Sequence, residues 1–549
     1  MINIKSSGTK KYENPVNIFI IFISVFIFMT LAFRSVPVDL QNSDNYNEDL
    51  TAFSLNVVNN WLIDGIITDN FVMHSDFASV EFENNHNRNV YISYPPGSLV
   101  PLYLVAKVAG KGEISTGFVK RFVQCQYYLS IFLLGLLFYI CLKILEVKSR
   151  LLITALPVML SSLWAFLPLN FYYMRNVYFA DQAIIMLSII FFMIEIMLHY
   201  EKFLKHNVLL QILSSIVLFV GILTDYYFFC IGFVAFCFRI ISNFEEYPDK
   251  TVLDKLFSNT WTMIVSTIIA VVLFIGQLLS VPDGFDLLII TFLMRTSSGT
   301  EFGGLKALIN NFDNGFSIFF LPFLIVVTII CLIFPLIRNK YSNEKQMIIR
   351  WLSIIVLSTV LHTLILREHS IIHEFSMLKY NLVIVFIIFA FMCWVYVNYK
   401  TNADGRMKIF SSMVLTLIFC LILYCLVSLQ SYNQYFYNQR ILKQDHSVAQ
   451  FIRANTNYYD VVYSPDYEIN WNPPQDLAIS KKRIYRVSSL KEIPVNALAD
   501  YAIINILISE ETMKRNDWIK LNTQNISFEK SDKLYLFKFS KESIKHLIN

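Results

Sequence analysis

The sequence predicts a polytopic α-helical membrane protein with a small α/β domain at its C-terminus. Of the 549 residues, 55% are hydrophobic and 16% are charged, whereas soluble proteins carry about a quarter charged residues. The apolar residues form runs long enough to cross a bilayer, and polar sequence with alternating apolar positions follows them. The net charge of +4 is too small to indicate a nucleic-acid partner.

About eleven apolar runs have the length of a transmembrane helix. A basic stretch, KSSGTKK, precedes the first run and no small-residue cleavage site follows it, so we expect a signal anchor and not a removed signal peptide. The runs lie near residues 16–34, 126–145, 151–169, 182–199, 208–223, 226–242, 260–280, 316–336, 347–366, 380–398 and 408–428.

Charge in the connections predicts the orientation. With the N-terminus in the cytoplasm, the connections on that side are short and basic, as in EVKSR and YKTNADGRMK, as the positive-inside rule requires. The long first loop, 35–125, then lies outside the cytoplasm. An odd number of helices places residues 429–549 on the same side. The composition, low in Gly and Pro and rich in Ile, Asn and Lys, suggests a bacterial genome, and therefore the plasma (inner) membrane.

The chain divides into a membrane part, 1–430, and a polar part, 431–549. In the second part, DHSVAQFIRANT has the pattern of a capped amphipathic helix, and DVVYSP, YAIINILI and KLYLFKF have the pattern of strands. We expect an extracytoplasmic α/β domain that is large enough for its own core.

Polar clusters concentrate on the non-cytoplasmic side. Asp44, Glu48 and Asp49 follow the first helix, and the i,i+4 carboxylates of Asp44 and Glu48 repel each other unless a cation or a proton lies between them. The alternative is a solvated helix N-terminus, which acidic residues also suit. Between the third and fourth helices, Arg175 could be a snorkelling side chain and Asp181 a helix cap.

Three further segments carry charge at membrane depth. Asp225 ends the fifth helix, where a carboxylate is costly unless it faces a cavity. The loop 281–315, with Arg295, could be a lid, a lipid-contacting helix or a plain connection. The segment LREHSIIHEFSMLKY contributes the last cluster, formed by Arg367, His369, His373 and Lys379.

The spacing of His369 and His373 would suit a metal on a helix, but the glutamate of a zinc protease is missing between them. Cations and imidazoles at a membrane face suit a lipid-linked phosphate better, and loose interfacial charge is the alternative. The segment YPPGSLVPLYLVAK begins with a stiff, donor-less turn at Pro95 and Pro96. We expect an interfacial or re-entrant helix after it, since it is short for a span; the alternative is a turn without substrate contact.

In its order of motifs, the membrane half resembles the integral-membrane glycosyltransferases of the GT-C fold, in particular protein mannosyltransferases and the aminoarabinose transferases of lipid A. The matching pieces are the acidic first loop, WLIDGIITDNFV, YPPGSLVPLYLVAK, YYMRNVYFAD, GILTDYY and a closing α/β domain. The family often carries Lys where this chain has Tyr94 and Asp225, and its acidic pair is adjacent where this chain spreads Asp44, Glu48 and Asp49.

The resemblance implies transfer of a sugar, hexosyl or pentosyl, from a polyprenyl-phosphate donor to a hydroxyl of a lipid, glycan or protein outside the cytoplasm. We hypothesise that Asp44 is the general base of an inverting displacement, with Glu48, Asp49 and Asp181 as the other catalytic carboxylates. The expected donor-phosphate or substrate-binding residues are Tyr94, Arg175, Asp225, Arg295, Arg367, His369, His373 and Lys379. The carboxylates could also hold a divalent metal ion with the phosphate.

Other functions stay open at this point. A lipid-linked glycan polymerase or ligase uses the same donor chemistry but usually lacks the α/β domain. A transporter or flippase predicts inverted repeats and charges within helices, and the predicted helices are nearly free of charge. A membrane scaffold with a sensor domain leaves the one-sided clusters unexplained. The sequence identifies neither the sugar nor the acceptor.

Overall fold

In this computed structural model, the described residues are 46–75, 90–147, 149–198, 207–246, 251–257, 260–296, 343–399 and, with short gaps, 447–548, with isolated positions elsewhere. The predicted segments 16–34 and 316–336 and most of 408–428 lie outside them, as does Asp44.

Helices form the described chain up to residue 399, apart from one short hairpin. A π-helical turn, Trp61–Gly65, follows the first helix, and the hairpin consists of β1 (Met73–His74) and β2 (Val90–Tyr91). The helices are α1 (Tyr46–Asn60), α2 (Val100–Val108), α3 (Thr116–Ile144), α4 (Arg150–Phe166), α5 (Pro168–Asn176), α6 (Ala180–Leu198), α7 (Asn207–Ile222), α8 (Tyr227–Glu246), α9 (Val252–Phe257), α10 (Trp261–Leu279), α11 (Gly284–Thr296), α12 (Asn343–Ile365), α13 (Arg367–Ile372) and α14 (Leu378–Tyr399).

The chain is a membrane protein. Among the described residues, α3, α6, α8, α10 and α14 are long and apolar enough to cross a membrane, and the bent pair α4 and α5 could form a sixth span. Helix α7 and the part Arg350–Ile365 of α12 are apolar but shorter. The predicted total of about eleven spans stays a prediction.

Two helix boundaries differ from the prediction. Helix α3 begins at Thr116, well before residue 126, because the Ser115 side chain caps it by accepting from the Phe118 N–H. The predicted run 151–169 breaks at Leu167, where α4 and α5 meet at a bend of 72°. Pro168 opens α5, and its missing N–H ends the α4 ladder.

A buried ion pair joins three of the membrane helices. Glu195 on α6 accepts from Arg239 on α8, and Ser214 on α7 donates to the same carboxylate at 2.7 Å. The side chains of Glu195 and Arg239 are 3% and 4% exposed. The prediction of nearly charge-free helix interiors missed this pair, since each partner is a single charge in an apolar run.

The C-terminal region forms a mixed five-stranded sheet with strand order β4-β3-β5-β7-β6. Strand β3 is parallel to β4 and β5, and β7 is antiparallel to β5 and β6. The elements are α15 (Ser447–Asn455), β3 (Val461–Ser464), β4 (Ile484–Arg486), β5 (Ile504–Ser509), α16 (Glu510–Arg515), β6 (Phe528–Ser531), β7 (Leu534–Phe539) and α17 (Lys541–Ile548). The three predicted strands coincide with β3, β5 and β7, and the extracytoplasmic position of this region stays a prediction.

The ion pair predicts a non-additive effect on stability. We expect Arg239→Met to lower the free energy of unfolding by about 3–5 kcal/mol, because it leaves the Glu195 carboxylate buried without a cation. The double variant Glu195→Leu/Arg239→Met should be less destabilised, since no charge remains. Thermal unfolding in detergent measures both, and equal losses in the single and double variants would contradict a paired role.

Candidate functional site

The Pro-Pro turn is docked against the end of a membrane helix. Pro95 is extended (φ −64°, ψ 152°), a 3₁₀ turn covers Pro96–Ser98, and α2 follows, as the sequence predicts. The Gly97 N–H donates to the Leu223 carbonyl at 2.6 Å. A Cβ on Gly97 would lie 2.3 Å from that oxygen, so glycine permits the close approach. The contact brings Tyr94 beside the connection between α7 and α8, which carries Asp225.

Two carboxylates from different helix ends converge on one ammonium. Lys379 Nζ lies 2.7 Å from Asp181 Oδ1 and 3.4 Å from Asp225 Oδ2. All three side chains are fully buried. Asp181 begins α6, Asp225 precedes α8 and Lys379 begins α14, so three helix ends meet at this point.

His362, on α12, completes the cluster, and sequence reasoning missed it. Its Nε2 lies 3.5 Å from Lys379 Nζ and 3.8 Å from Asp225 Oδ1. The Asp225 Oδ1 atom also accepts the Tyr227 N–H at 2.7 Å. An ionisable side chain within an apolar run was the available signal, because such a residue is costly in lipid unless it has polar partners.

Tyr94 connects this cluster with helices α11 and α13. Its hydroxyl lies 2.7 Å from His369 Nε2, and its ring stacks on Tyr226 with centroids 5.8 Å apart. The guanidinium carbon of Arg295 lies 4.6 Å from the centroid of the Tyr94 ring. Arg295 Nη1 also donates to the Ser93 carbonyl at 2.9 Å, so Arg295 fixes the end of α11 against the Pro-Pro turn.

Burial and neighbouring charges keep three side chains of the site uncharged, those of Tyr94, His369 and His373. Burial, and then the Asp181 charge, raise the pKa of the Tyr94 phenol well above its ordinary value, so the hydroxyl stays protonated. Burial, with Arg295 next, lowers the pKa of the His369 imidazole well below its ordinary value. The Tyr94 hydroxyl and the His369 Nε2 therefore share a hydrogen bond between two neutral groups. The same two causes lower the pKa of His373 to about 4, so both imidazoles are neutral at pH 7.

The structure brings together seven of the residues that the sequence predicts for the site: Tyr94, Asp181, Asp225, Arg295, His369, His373 and Lys379. Arg367 is half-buried on α13 and makes no ion pair within the described ranges. Helix α1 carries Glu48 and Asp49, and helix α5 carries Arg175, but the structure does not describe these three side chains. Asp44 lies outside the described residues altogether.

Some polar atoms of the site have no hydrogen-bond partner among the described residues. They include Asp181 Oδ2 and the Tyr226 hydroxyl, both buried. A buried acceptor without a donor is costly. The hydroxyl groups of a ligand can supply the missing hydrogen bonds. Within the same residues there is no group of three or more His, Cys, Asp or Glu side chains that could hold a metal ion.

The fold is similar to that of ArnT from Cupriavidus metallidurans. The structure of ArnT bound to undecaprenyl phosphate superposes with a TM-score of 0.54 at 11% identity, over 95% of this chain and 97% of that one. The apo state gives 0.53 at 10% identity, over 96% and 98%. The oligosaccharyltransferase AglB from Archaeoglobus fulgidus gives 0.49 at 11% identity, over 94% and 71%.

The likeness to the two ArnT structures confirms the GT-C fold that the sequence resemblance predicts. No family model and no curated protein matches the sequence.

The close approach at Gly97 predicts a local steric effect. We expect Gly97→Ala to lower the free energy of unfolding by about 1–3 kcal/mol, because the new methyl group would overlap the Leu223 carbonyl and push the turn away. Gly112→Ala is the matched control, since a Cβ there meets nothing within 4 Å. The comparison is made by thermal unfolding in detergent, and equal midpoints for the two variants would refute the docking.

The pKa of His373 predicts acid sensitivity. An unfolded histidine binds its proton near pH 6.5, whereas His373 in the folded protein does so near 4. As the pH falls from about 6.5 to 4, the unfolded chain binds this proton first, so stability is lost over that interval.

We expect His373→Gln to reduce that loss, as measured by unfolding midpoints at pH 7 and 4.5. His546→Gln, at an exposed histidine of α17, is the control. Identical losses in wild type and His373→Gln would show that the imidazole is not buried in its neutral form.

Proposed function

We propose that this protein transfers a sugar from a polyprenyl-phosphate donor to a hydroxyl of a lipid, glycan or protein acceptor outside the cytoplasm, with inversion at the anomeric carbon. The observation that carries the proposal is the position of Arg295 beside Tyr94, next to buried carboxylates in a membrane protein. The fold supports it, because ArnT has been solved with undecaprenyl phosphate bound.

Arg295 has the properties that a leaving phosphate requires. Its guanidinium has five N–H donors, of which contacts to the Ser93 carbonyl and the Tyr91 hydroxyl use two. The remaining donors can form the bidentate contact that phosphate favours. Arg295 ends α11, whose neighbouring Leu293 and Met294 are each 60% exposed. A cation at the end of an exposed apolar helix suits a phosphate that is attached to a lipid chain.

The reaction needs a base opposite this cation. In the proposed step, a carboxylate removes the acceptor proton, the acceptor oxygen bonds to the anomeric carbon, and the bond from that carbon to the phosphate oxygen breaks. The lipid phosphate departs with the electron pair, stabilised by Arg295. We assign Asp44 as the base, with Glu48 and Asp49 beside it, and Asp181 as a ligand of substrate hydroxyls.

We also propose a bacterial plasma-membrane location, a cytoplasmic N-terminus and an extracytoplasmic region 431–549. The transporter alternative gains little from the intramembrane pair of Glu195 and Arg239, because these charges neutralise each other and are bonded to Ser214. A glycan polymerase or ligase shares the donor chemistry, so the length of the product distinguishes it from a single transfer.

A transfer assay with polyprenyl-phosphate sugars in reconstituted membranes tests the proposal. We expect Arg295→Ala to lower kcat/KM by about 100-fold or more, since it removes stabilisation of the leaving group, and Asp44→Asn to abolish transfer. Arg121→Ala, at an exposed arginine of α3, should behave as wild type. Mass spectrometry of the lipid and glycan products identifies the acceptor. Wild-type protein that neither binds polyprenyl phosphate nor transfers a sugar would refute the proposal.

A further inference from the structure

The ammonium of Lys379 lies among three acceptors. Asp181 Oδ1, Asp225 Oδ2 and His362 Nε2 are 2.7, 3.4 and 3.5 Å from Nζ. An ammonium has three N–H donors and no acceptor. One donates to Asp181 Oδ1 and one lies near His362 Nε2, whereas Asp225 Oδ2 lies at ion-pair distance without accepting a hydrogen bond. A phosphate could reach Nζ only by displacing one of these groups, and two of them are carboxylates, which would repel it.

We infer that Lys379 is a positioning residue that holds the Asp181 carboxylate toward a substrate hydroxyl, and that it does not bind the donor phosphate. This inference rests on the proposed function, and it changes the role that the sequence predicts for Lys379. Binding of the phosphate is then the task of Arg295, which reaches the site from the exposed helix α11.

The two carboxylate oxygens of Asp181 differ in their hydrogen bonding. Lys379 holds Oδ1, whereas Oδ2 is buried and has no hydrogen-bond partner among the described residues. Leaving a buried carboxylate oxygen without a donor is costly, and a hydroxyl of the sugar or of the acceptor is the neutral donor that both substrates carry. Because Oδ1 is held, Oδ2 has a fixed direction before the substrate arrives, which reduces the cost of orienting it.

Asp225 and His362 hold the Lys379 ammonium in place, and both are themselves held by Tyr227. The Tyr227 N–H binds Asp225 at 2.7 Å, and the His362 ring packs edge-on against the Tyr227 ring, with centroids 5.5 Å apart. The Tyr227 hydroxyl in turn pairs with Thr359 on α12 at 2.9 Å. The ammonium is therefore tied to α6, α8, α12 and α14 at once, and we assign Asp225 and His362 as positioning residues that act through Lys379.

Binding and turnover separate the two roles of Lys379. For Lys379→Met we expect kcat to fall about 100-fold, as for loss of orientation, while the affinity for polyprenyl phosphate alone and the donor KM stay within about 3-fold of wild type. Arg295→Ala should lose that affinity in the same titration. A loss of affinity in Lys379→Met as large as in Arg295→Ala would overturn the inference.

His362 provides a second test if Lys379→Met does not fold. We expect His362→Leu to lower kcat about 10-fold without changing the affinity for polyprenyl phosphate, and His362→Gln, which restores an acceptor near Nε2, to recover most of it. Ser358→Ala on the same helix should be unaffected, since among the described residues its hydroxyl bonds only the Ile354 carbonyl. Wild-type turnover in His362→Leu overturns the inference, whereas wild-type protein that does not bind polyprenyl phosphate refutes the proposed function instead.

Discussion

The buried ammonium of Lys379 is the charge on which the candidate site depends. Asp181 and Asp225 are both fully buried, and two ionised carboxylates so placed would repel each other and lose their hydration. One cation between them offsets part of each cost, since two ionised carboxylates and one ammonium keep a net charge of −1. Asp181 and Lys379 lie in the first turns of α6 and α14, and Asp225 lies just before α8, so the same interaction also fixes the positions of these three helices.

The Pro-Pro turn and helix α11 are held against this centre by shape more than by charge. Pro95 and Pro96 stiffen the turn, and Gly97 allows its backbone to contact the end of α7. Tyr94 can then stack on Tyr226 and receive Arg295 on its ring. The two cations thus differ in environment: Lys379 is enclosed by acceptors, whereas Arg295, near the end of an exposed helix, has N–H donors that bond no further described residue.

Local sequence patterns predicted most of what the structure shows. Apolar runs identified the described membrane helices, and charged residues at their ends and between them pointed to Asp181, Asp225, Arg295, His369 and Lys379. The Pro-Pro motif and the family resemblance pointed to Tyr94. Pairing across long sequence separations was not predictable, since nothing local to Asp181 indicates Lys379. His362 and the Glu195–Arg239 pair were missed because a single polar residue barely alters an apolar run. Strand β4 was missed because it has only three residues, and β6 because its sequence, FEKS, is mostly polar.

At about 11% identity to ArnT, the two chains share a fold while most of their residues differ. Helix packing in a membrane requires only apolar surfaces of suitable shape, which many sequences provide. A buried carboxylate has a stricter need, since it requires a cation within a few ångströms, but the cation can come from any helix that reaches it. Where the resembling family often carries Lys, this chain has Tyr94 and Asp225, and the structure places Lys379 of α14 against that carboxylate. The charge balance of such a site is therefore a property of its geometry, and its residues cannot be assigned from a motif alone.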